Sequence, residues 1–225
     1  MKIAIIDSGI NPDHPHVEGV AGGVFITAAG ESADYLDRLG HGTAVAGAIR
    51  EKAPDAELYA ARVFDRALST NIHVIIRALE WSIAERVDVI NLSLGTANPE
   101  HRARFEQVLA RAPEIVVVSA FEQQGRSLLP GALDSVIGVA LDSDCPRDTY
   151  HVRWCCGRPV FYASGYPRAI PGVPRERNLN GISFAVANMT GFVAREISAG
   201  VSRATLQARL IEHASESTVS KGVFP

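Results

Sequence analysis

The sequence predicts an α/β protein built in three layers, with a mostly parallel central sheet and helices on both faces. Two observations carry that prediction. Short apolar runs rich in Val and Ile alternate with longer segments of helical period, the pattern of parallel strands joined by crossover helices. At 225 residues, with 47% hydrophobic and 21% charged residues, the chain is also long enough to bury one sizeable core and too apolar to stay disordered.

The first strand is Lys2–Asp7, where Ile3-Ala4-Ile5-Ile6 is closed by Asp7 and the turn Ser8-Gly9. A helix over His41–Glu51 comes next; its small residues Ala44-Val45-Ala46-Gly47-Ala48 let it lie close against a sheet. The second strand is Glu57–Val63. The helix over Thr70–Arg86 takes Ser69 or Thr70 as N-cap, and its stripe of Ile72, Ile75, Ile76, Leu79 and Ile83 marks a core face rather than a binding face. Strand Asp88–Ser93, helix Pro99–Arg111 and strand Glu114–Ala120 follow, then strands Ser135–Leu141 and Pro159–Ala163, the strands all of ordinary length. Helices Ser183–Ser198 and Ser202–His213 complete the series. From Asp142 to Pro159, and from Tyr166 to Asn180, periodicity fails and Pro, Gly and Arg accumulate, so both segments read as loops near the working surface. Without repeats or an interdomain linker, residues 1–225 count as one domain, with the polar Ser215–Pro225 as a tail.

Charge excludes whole classes of partner. A net charge of -3 and a pI near 6.2, without clustered Lys and Arg, give nothing to attract nucleic acid or an anionic membrane surface. No apolar run approaches the roughly 18 to 20 residues that span a bilayer. Met1-Lys2 leads directly into four apolar residues that Asp7 interrupts, so no signal-peptide core forms and a cytoplasmic location is expected. Three cysteines, with Cys155 and Cys156 adjacent, suit reduced thiols rather than a disulfide framework. With no Cys-x-x-Cys or His-x-x-x-His spacing and no Asp-rich loop, no metal or other cofactor is expected.

Ligands of an open parallel sheet bind beyond the carboxyl ends of its strands, so the polar residues there are the ones to inspect. Asp7 ends the first strand; alone it reads as a turn cap before it reads as a catalytic group. His41 lies between Gly40 and Gly42 at a helix start, where it can present its ring to a site or simply face solvent. Ser183, in Asn180-Gly181-Ile182-Ser183-Phe184-Ala185, opens a small-residue helix whose amides favour an anionic oxygen; alone it reads equally as an N-cap. The other histidines, His14, His16, His73, His101, His151 and His213, have no comparable setting and read as solvated or structural.

Together Asp7, His41 and Ser183 supply a carboxylate, an imidazole and a hydroxyl in the order Asp, His, Ser. That order separates scaffolds. An α/β-hydrolase places acid and His after the nucleophile, but no Asp follows Ser183, and Gly181-x-Ser183-x-Ala185 lacks the second glycine of a nucleophile elbow. The chymotrypsin order fails because His41 follows Asp7.

These residues resemble the subtilisin-like (subtilase) serine protease family. Ile5-Ile6-Asp7-Ser8-Gly9-Ile10 with His14-Pro15 is similar to the family's Asp motif, Gly40-His41-Gly42-Thr43-Ala44-Val45-Ala46-Gly47 to its His motif, and Gly181-Ile182-Ser183-Phe184-Ala185 to its Ser motif. Asn91-Leu92-Ser93-Leu94-Gly95 is similar to its substrate-binding strand. The resemblance implies a subtilisin-like fold and peptide-bond hydrolysis, with Ser183 as nucleophile, His41 as general base and then acid, and Asp7 fixing the His41 tautomer. Ser93, Leu94 and Gly95 would pair with the extended backbone of a protein or peptide substrate.

Departures from the family pattern shape further expectations. Where the family carries an oxyanion-hole Asn, this chain reads Phe121-Glu122-Gln123-Gln124-Gly125; ungapped matching puts Gln123 at that position, with Gln124 as fallback, beside the Ser183 backbone N–H. Phe121 and Glu122 then approach the primary specificity pocket and narrow or acidify it. Ile182 stands in place of Thr, and Ala187-Asn188 where Pro-His is common. With no prodomain expected ahead of Asp7, a cytosolic protease needs a narrow site as its safeguard. A processing enzyme that removes the leader from one or few precursors is the expectation, similar in plan to small cytosolic subtilases of enzyme maturation, quinohemoprotein amine dehydrogenase maturation included. Two other readings stay open: an inactive subtilase fold that binds peptides, and a small-molecule esterase or amidase on the same scaffold.

Overall fold

Alternation within the strands decides the architecture. In the first strand, β1 (Lys2–Asp7), Ile3 and Ile5 enter one hydrophobic cluster and Ala4 and Ile6 the other, all buried, so both faces of this strand must be covered. The computed structural model describes residues 1–215 and shows how. The strands are β1, β2 (Gly22–Ile26), β3 (Glu31–Ser32), β4 (Glu57–Arg62), β5 (Val89–Leu92), β6 (Val116–Ala120), β7 (Glu122–Gln123), β8 (Arg126–Ser127), β9 (Ile137–Asp142), β10 (Tyr150–Cys155) and β11 (Arg158–Ser164). The α-helices are α1 (His41–Arg50), α2 (Ile72–Ala84), α3 (Arg102–Leu109), α4 (Ile182–Ser198) and α5 (Arg203–Glu212).

Nine strands form one sheet in the order β10-β11-β9-β6-β5-β1-β4-β2-β3. Pairing is parallel from β11 through β2, and antiparallel only at the edges, β10 with β11 and β2 with β3. α1, α4 and α5 cover one face, where Val45, Ile49, Phe184, Phe192, Leu206 and Leu210 join the cluster of Ile3 and Ile5. α2 and α3 cover the other, with Val74, Leu79, Phe105 and Val108 in the cluster of Ala4 and Ile6. Each such fully buried side chain contributes about 1.5–3 kcal/mol relative to leaving it exposed. The three-layer α/β class expected from the sequence is the class observed.

Several expectations are corrected. The segment Asp142–Pro159, read as a loop, contains β10, whose residues pair with β11 from Tyr150↔Ala163 to Cys155↔Arg158. The reason lies in burial: Tyr-His-Val-Arg-Trp-Cys runs from buried Tyr150 to Trp154 at 65% exposure, so an edge strand offers no continuous apolar run to read. β2, β3 and the β7–β8 hairpin were likewise absent from the sequence reading, being short or started by glycine. α2 begins two residues later than expected, because Asn71 rather than Ser69 or Thr70 caps it, its side chain accepting from the amides of His73 and Val74. The buried stripe of α2 is Val74, Ile75, Ala78, Leu79 and Ser82, with Ile72, Ile76 and Ile83 packed at its margin. The loop 166–180 holds only a short 3-10 turn at Arg175–Arg177. From Glu216 onward the expected polar tail lies outside the described residues.

Candidate active site

Three carboxyl-end positions of the parallel sheet converge on one cleft of about 280 Å³, lined by Asp7, His41, Ser93, Leu94, Gly95, Gln123 and Ser183 among others. Asp7 is the last residue of β1, Ser93 follows β5 directly, and Gln123 lies just beyond β6. His41 and Ser183 come from the first turns of α1 and α4, the two helices that share one face.

The start of α1 is held without a side-chain cap from its own N-cap residue, Gly40, which sits at φ 79, a left-handed conformation that favours glycine. Asp37 replaces that cap. Its two oxygens accept five hydrogen bonds: from Ser8 Oγ (2.9 Å), the amides of Leu39 (2.9 Å), Gly40 (2.9 Å) and Thr43 (2.9 Å), and Thr43 Oγ1 (2.7 Å). A carboxylate at this end of the helix also meets the positive end of the helix dipole. Ser8 Oγ in turn accepts from the Gly42 amide at 2.8 Å, tying the turn after β1 to the helix. Gly42 must lack a side chain here, since a Cβ would run into the Gly9 carbonyl oxygen and crowd Asp7. Nothing in the sequence reading singled out Asp37; only its place four residues before His41 could have drawn attention to it.

This frame brings Asp7 Oδ1 within 2.6 Å of His41 Nδ1. Asp7 is 1% exposed, and it also accepts from the Ser8 amide (2.7 Å) and Ser93 Oγ (3.3 Å). With Nδ1 donating to the carboxylate, the His41 tautomer leaves Nε2 unprotonated, the form a general base needs. Burial by itself pushes the imidazole down, but the Asp7 hydrogen bond and the charges of Asp7 and Asp37 outweigh it and hold His41 above its ordinary pKa. The ring also packs against Phe184 of α4, with centroids 5.3 Å apart.

Behind Asp7 runs a buried polar chain that the sequence reading did not identify. Thr190 Oγ1 donates to Asn91 Oδ1 (2.9 Å), Asn91 Nδ2 to Ser93 Oγ (2.9 Å), and Ser93 Oγ to Asp7. Asn91, Thr190 and Asp7 are each almost completely buried, so these groups must satisfy one another. The signal available was Asn91 itself, a lone amide inside the apolar strand Val89–Leu92.

Ser183 lies in the same cleft, and its Oγ donates to the Ser93 carbonyl at 3.4 Å; among the described hydrogen bonds none joins it to His41. Bonds of this kind in unliganded sites are commonly long and tighten on substrate binding. The Ser183 amide, in the first turn of α4, has no acceptor among the described residues and is free to donate.

The remaining expected site residues divide. Gln123 lines the cleft, whereas Gln124 occupies the tip of the β7–β8 hairpin at φ 53 and does not. Ser93, Leu94 and Gly95 form one wall, and Gly95 lies so close to the next segment that a Cβ would stand 2.9 Å from the Leu129 carbonyl oxygen. Phe121 and Glu122 do not line the cleft: the Phe121 side chain lies over Gly138 and beneath the Arg158 guanidinium, and Glu122 pairs with Ser127. His14 and His16 line a neighbouring cleft rather than this one. The three cysteines are unpaired, with Cys145 buried and its thiol pushed up to about 11 by burial. Among the described residues no helix is long and apolar enough to cross a membrane, and no group of His, Cys, Asp and Glu is arranged to hold a metal ion.

Comparison with known proteins adds the lineage. The family model Peptidase_S8, Subtilase family, matches residues 1–139. The chain is 37% identical over 211 residues to Subtilisin E of Bacillus subtilis (strain 168), covering 88% of this chain and 53% of that protein. It is 36% identical over 211 residues to Subtilisin of Bacillus pumilus, covering 88% of this chain and 74% of that one. It thus spans about half the length of Subtilisin E, and its match to the Minor extracellular protease Epr of Bacillus subtilis (strain 168) covers 24% of that protein. In fold it is similar to a cold adapted subtilisin-like serine proteinase, with TM-score 0.74, 21% identity, and coverage of 98% of this chain and 84% of the other. It is also similar to a lanthipeptide protease, with TM-score 0.70, 20% identity, and coverage of 92% and 78%. With the family model matching more than half of the sequence and the Bacillus pumilus relative covered over most of its length, the chain belongs to the subtilase family.

Proposed function

We propose that this protein is a serine endopeptidase in which Asp7, His41 and Ser183 act as one catalytic unit. Ser183 Oγ attacks the scissile carbonyl while His41 Nε2 takes its proton; the same imidazole then protonates the departing amine, leaving an acyl-enzyme that water hydrolyses by the reverse sequence. Asp7 holds the tautomer and stabilises the imidazolium. The developing oxyanion is met by the Ser183 amide and the Gln123 side-chain amide, and the acyl half of the substrate pairs with the backbone of Ser93, Leu94 and Gly95. The observation that carries this assignment is the 2.6 Å Asp7–His41 contact in a cleft that also contains Ser183.

Within that activity we assign a narrow, intracellular role: removal of a leader from one or few precursor proteins. Supporting it is the exposed hairpin that brings a glutamine, Gln123, to the wall of the cleft. The fold neighbour named as a lanthipeptide protease acts, by its name, on a peptide product, which is compatible with such a role here.

Labelling with a fluorophosphonate serine-hydrolase probe tests the activity. Labelling of the wild type that Ser183→Ala and His41→Ala both abolish is the expected result. A folded protein that takes no label would instead favour a peptide-binding module, the reading for which the Ser183 hydroxyl turned to Ser93 speaks. Accumulation of an uncleaved precursor in a Ser183→Ala strain tests the processing role.

A further inference from the structure

A second cleft of about 370 Å³ is walled by the start of α1 at Gly40, Thr43 and Ala44, the residues that flank His41 in the chain, and by the loop 166–180 that leads into Ser183. It shares no lining residue with the cleft of Ser93, Leu94 and Gly95. We propose that this second cleft binds an acidic side chain of the substrate, on the segment C-terminal to the scissile bond. The inference rests on the peptidase assignment.

Location gives the first half of the argument. The departing amine must receive its proton from His41, so the segment attached to it passes the imidazole, while the acyl half occupies the opposite wall. Whatever follows the scissile bond therefore meets Gly40, Thr43 and the loop residues before Ser183.

Charge gives the second half. Arg168 and Arg177 line this cleft, and among the described residues neither guanidinium has a hydrogen-bond or ion-pair partner. Their basic neighbours are already engaged: Arg147 pairs with both oxygens of Glu51, and Arg175 donates to the Ser143 carbonyl while stacking on Tyr166. The one carboxylate that lines the cleft is Asp37, whose oxygens are occupied by the five donors of the α1 frame. His16, also in the wall, is held below its ordinary pKa first by burial and then by the charge of Arg168. Two guanidinium groups without acceptors offer planar, charge-assisted recognition of a carboxylate. Ile170 and Leu179, both exposed at the rim, suit the methylene stem of a Glu better than a bare anion.

A peptide library derived from a bacterial proteome, digested with the protein and read by mass spectrometry, tests the inference. Among the three residues after each cut, the wild type should favour Asp and Glu over Asn and Gln by about fivefold, as an ion pair with the exposed Arg177 and the partly exposed Arg168 supplies. In Arg168→Gln/Arg177→Gln that ratio should fall to near one. Because it is a ratio within one preparation, a change in overall rate does not imitate its loss. A wild-type ratio near one, or a preference that survives in the double variant, overturns the inference. If nothing is cut, fluorescence anisotropy of a fluorescein-labelled Glu-containing peptide and its Gln twin on the Ser183→Ala protein decides separately. Glu-selective binding that the two arginine substitutions remove keeps the cleft, and the fluorophosphonate label decides the peptidase reading separately; equal binding of the twins overturns the cleft.

Discussion

The two sides of the cleft are built to different standards. On the Asp7 side, three segments of chain meet through Asp37, Ser8 and the start of α1; both oxygens of Asp37 and of Asp7 accept hydrogen bonds, and Asp7 is backed by a chain of hydrogen bonds reaching Thr190 in α4. On the Gln123 side, an exposed hairpin of two-residue strands carries the candidate oxyanion donor, held by two cross-strand pairs, Glu122↔Ser127 and Gln123↔Arg126, and turned by Gln124 and Gly125 at positive φ. The contrast teaches where geometry is over-determined. In the proposed mechanism, moving a proton requires the imidazole to sit within a few tenths of an ångström, and that half is locked; the proposed oxyanion donor is left on a small element that substrate can press into place.

The sharpest way to break this comparison is to attack the locked half. Asp7→Asn should lower kcat/KM on a cleavable peptide by about 10⁴-fold, because an amide at that position no longer fixes the tautomer. Ser183→Ala should cost at least as much, and melting curves of both variants should show the fold intact. If Asp7→Asn retains most activity, the locked half is scaffold rather than machinery.

Next in size is the hairpin. Gln123→Ala should lower kcat by about 100- to 1,000-fold with little change in KM if its amide meets the oxyanion, whereas Gln124→Gly should leave the rate within a few fold. The reverse ranking would exchange their roles and show that the hairpin shifts when substrate arrives.

A third substitution reads the polar chain through stability. Thr190→Val keeps the shape but removes the one hydroxyl proton that Asn91 Oδ1 (2.9 Å) and the Val186 carbonyl oxygen (2.8 Å) share, and should cost about 1–3 kcal/mol in urea denaturation. A neutral result would mean that Asn91 and Ser93 support Asp7 without help from α4.

The smallest effect is on pH dependence. His41 must be neutral to act as base, and Asp7 and Asp37 both hold its pKa up. Asp37→Asn removes one of those charges, and with it the acceptor for Thr43 because an amide nitrogen only donates, so in the activity that remains the acid limb of the kcat/KM profile should move to lower pH. In stability the sign runs the other way. A histidine whose pKa is raised in the folded state stabilises the protein fully below its unfolded value, and that contribution disappears as pH rises through the folded value. Unfolding free energies of the wild type and of His41→Ala, compared from acid to alkaline pH, should therefore converge toward the alkaline end.

Legibility cut across that division. β1, α1, β5 and α4 were readable because a buried parallel strand is a continuous apolar run, and because Asp7, His41 and Ser183 sit where such runs and small-residue helices end. β10 was not, since an edge strand with one wet side carries no such run, and α2 was misplaced at its start because three consecutive residues, Ser69, Thr70 and Asn71, can all cap a helix. Asp37 reads as one more acidic loop residue until the fold brings Ser8 and Thr43 to it.

The sequence by itself determined the α/β class, the order of acid, imidazole and hydroxyl, and the family, because periodicity and motif are local properties of the chain. Only the tertiary structure decided that Gln123 faces the cleft while Gln124, Phe121 and Glu122 do not, that Asp37 frames His41, and that Arg168 and Arg177 stand without partners among the described residues. Those facts depend on which distant groups have already satisfied one another's hydrogen bonds and charges, and that is settled only when the whole chain is packed.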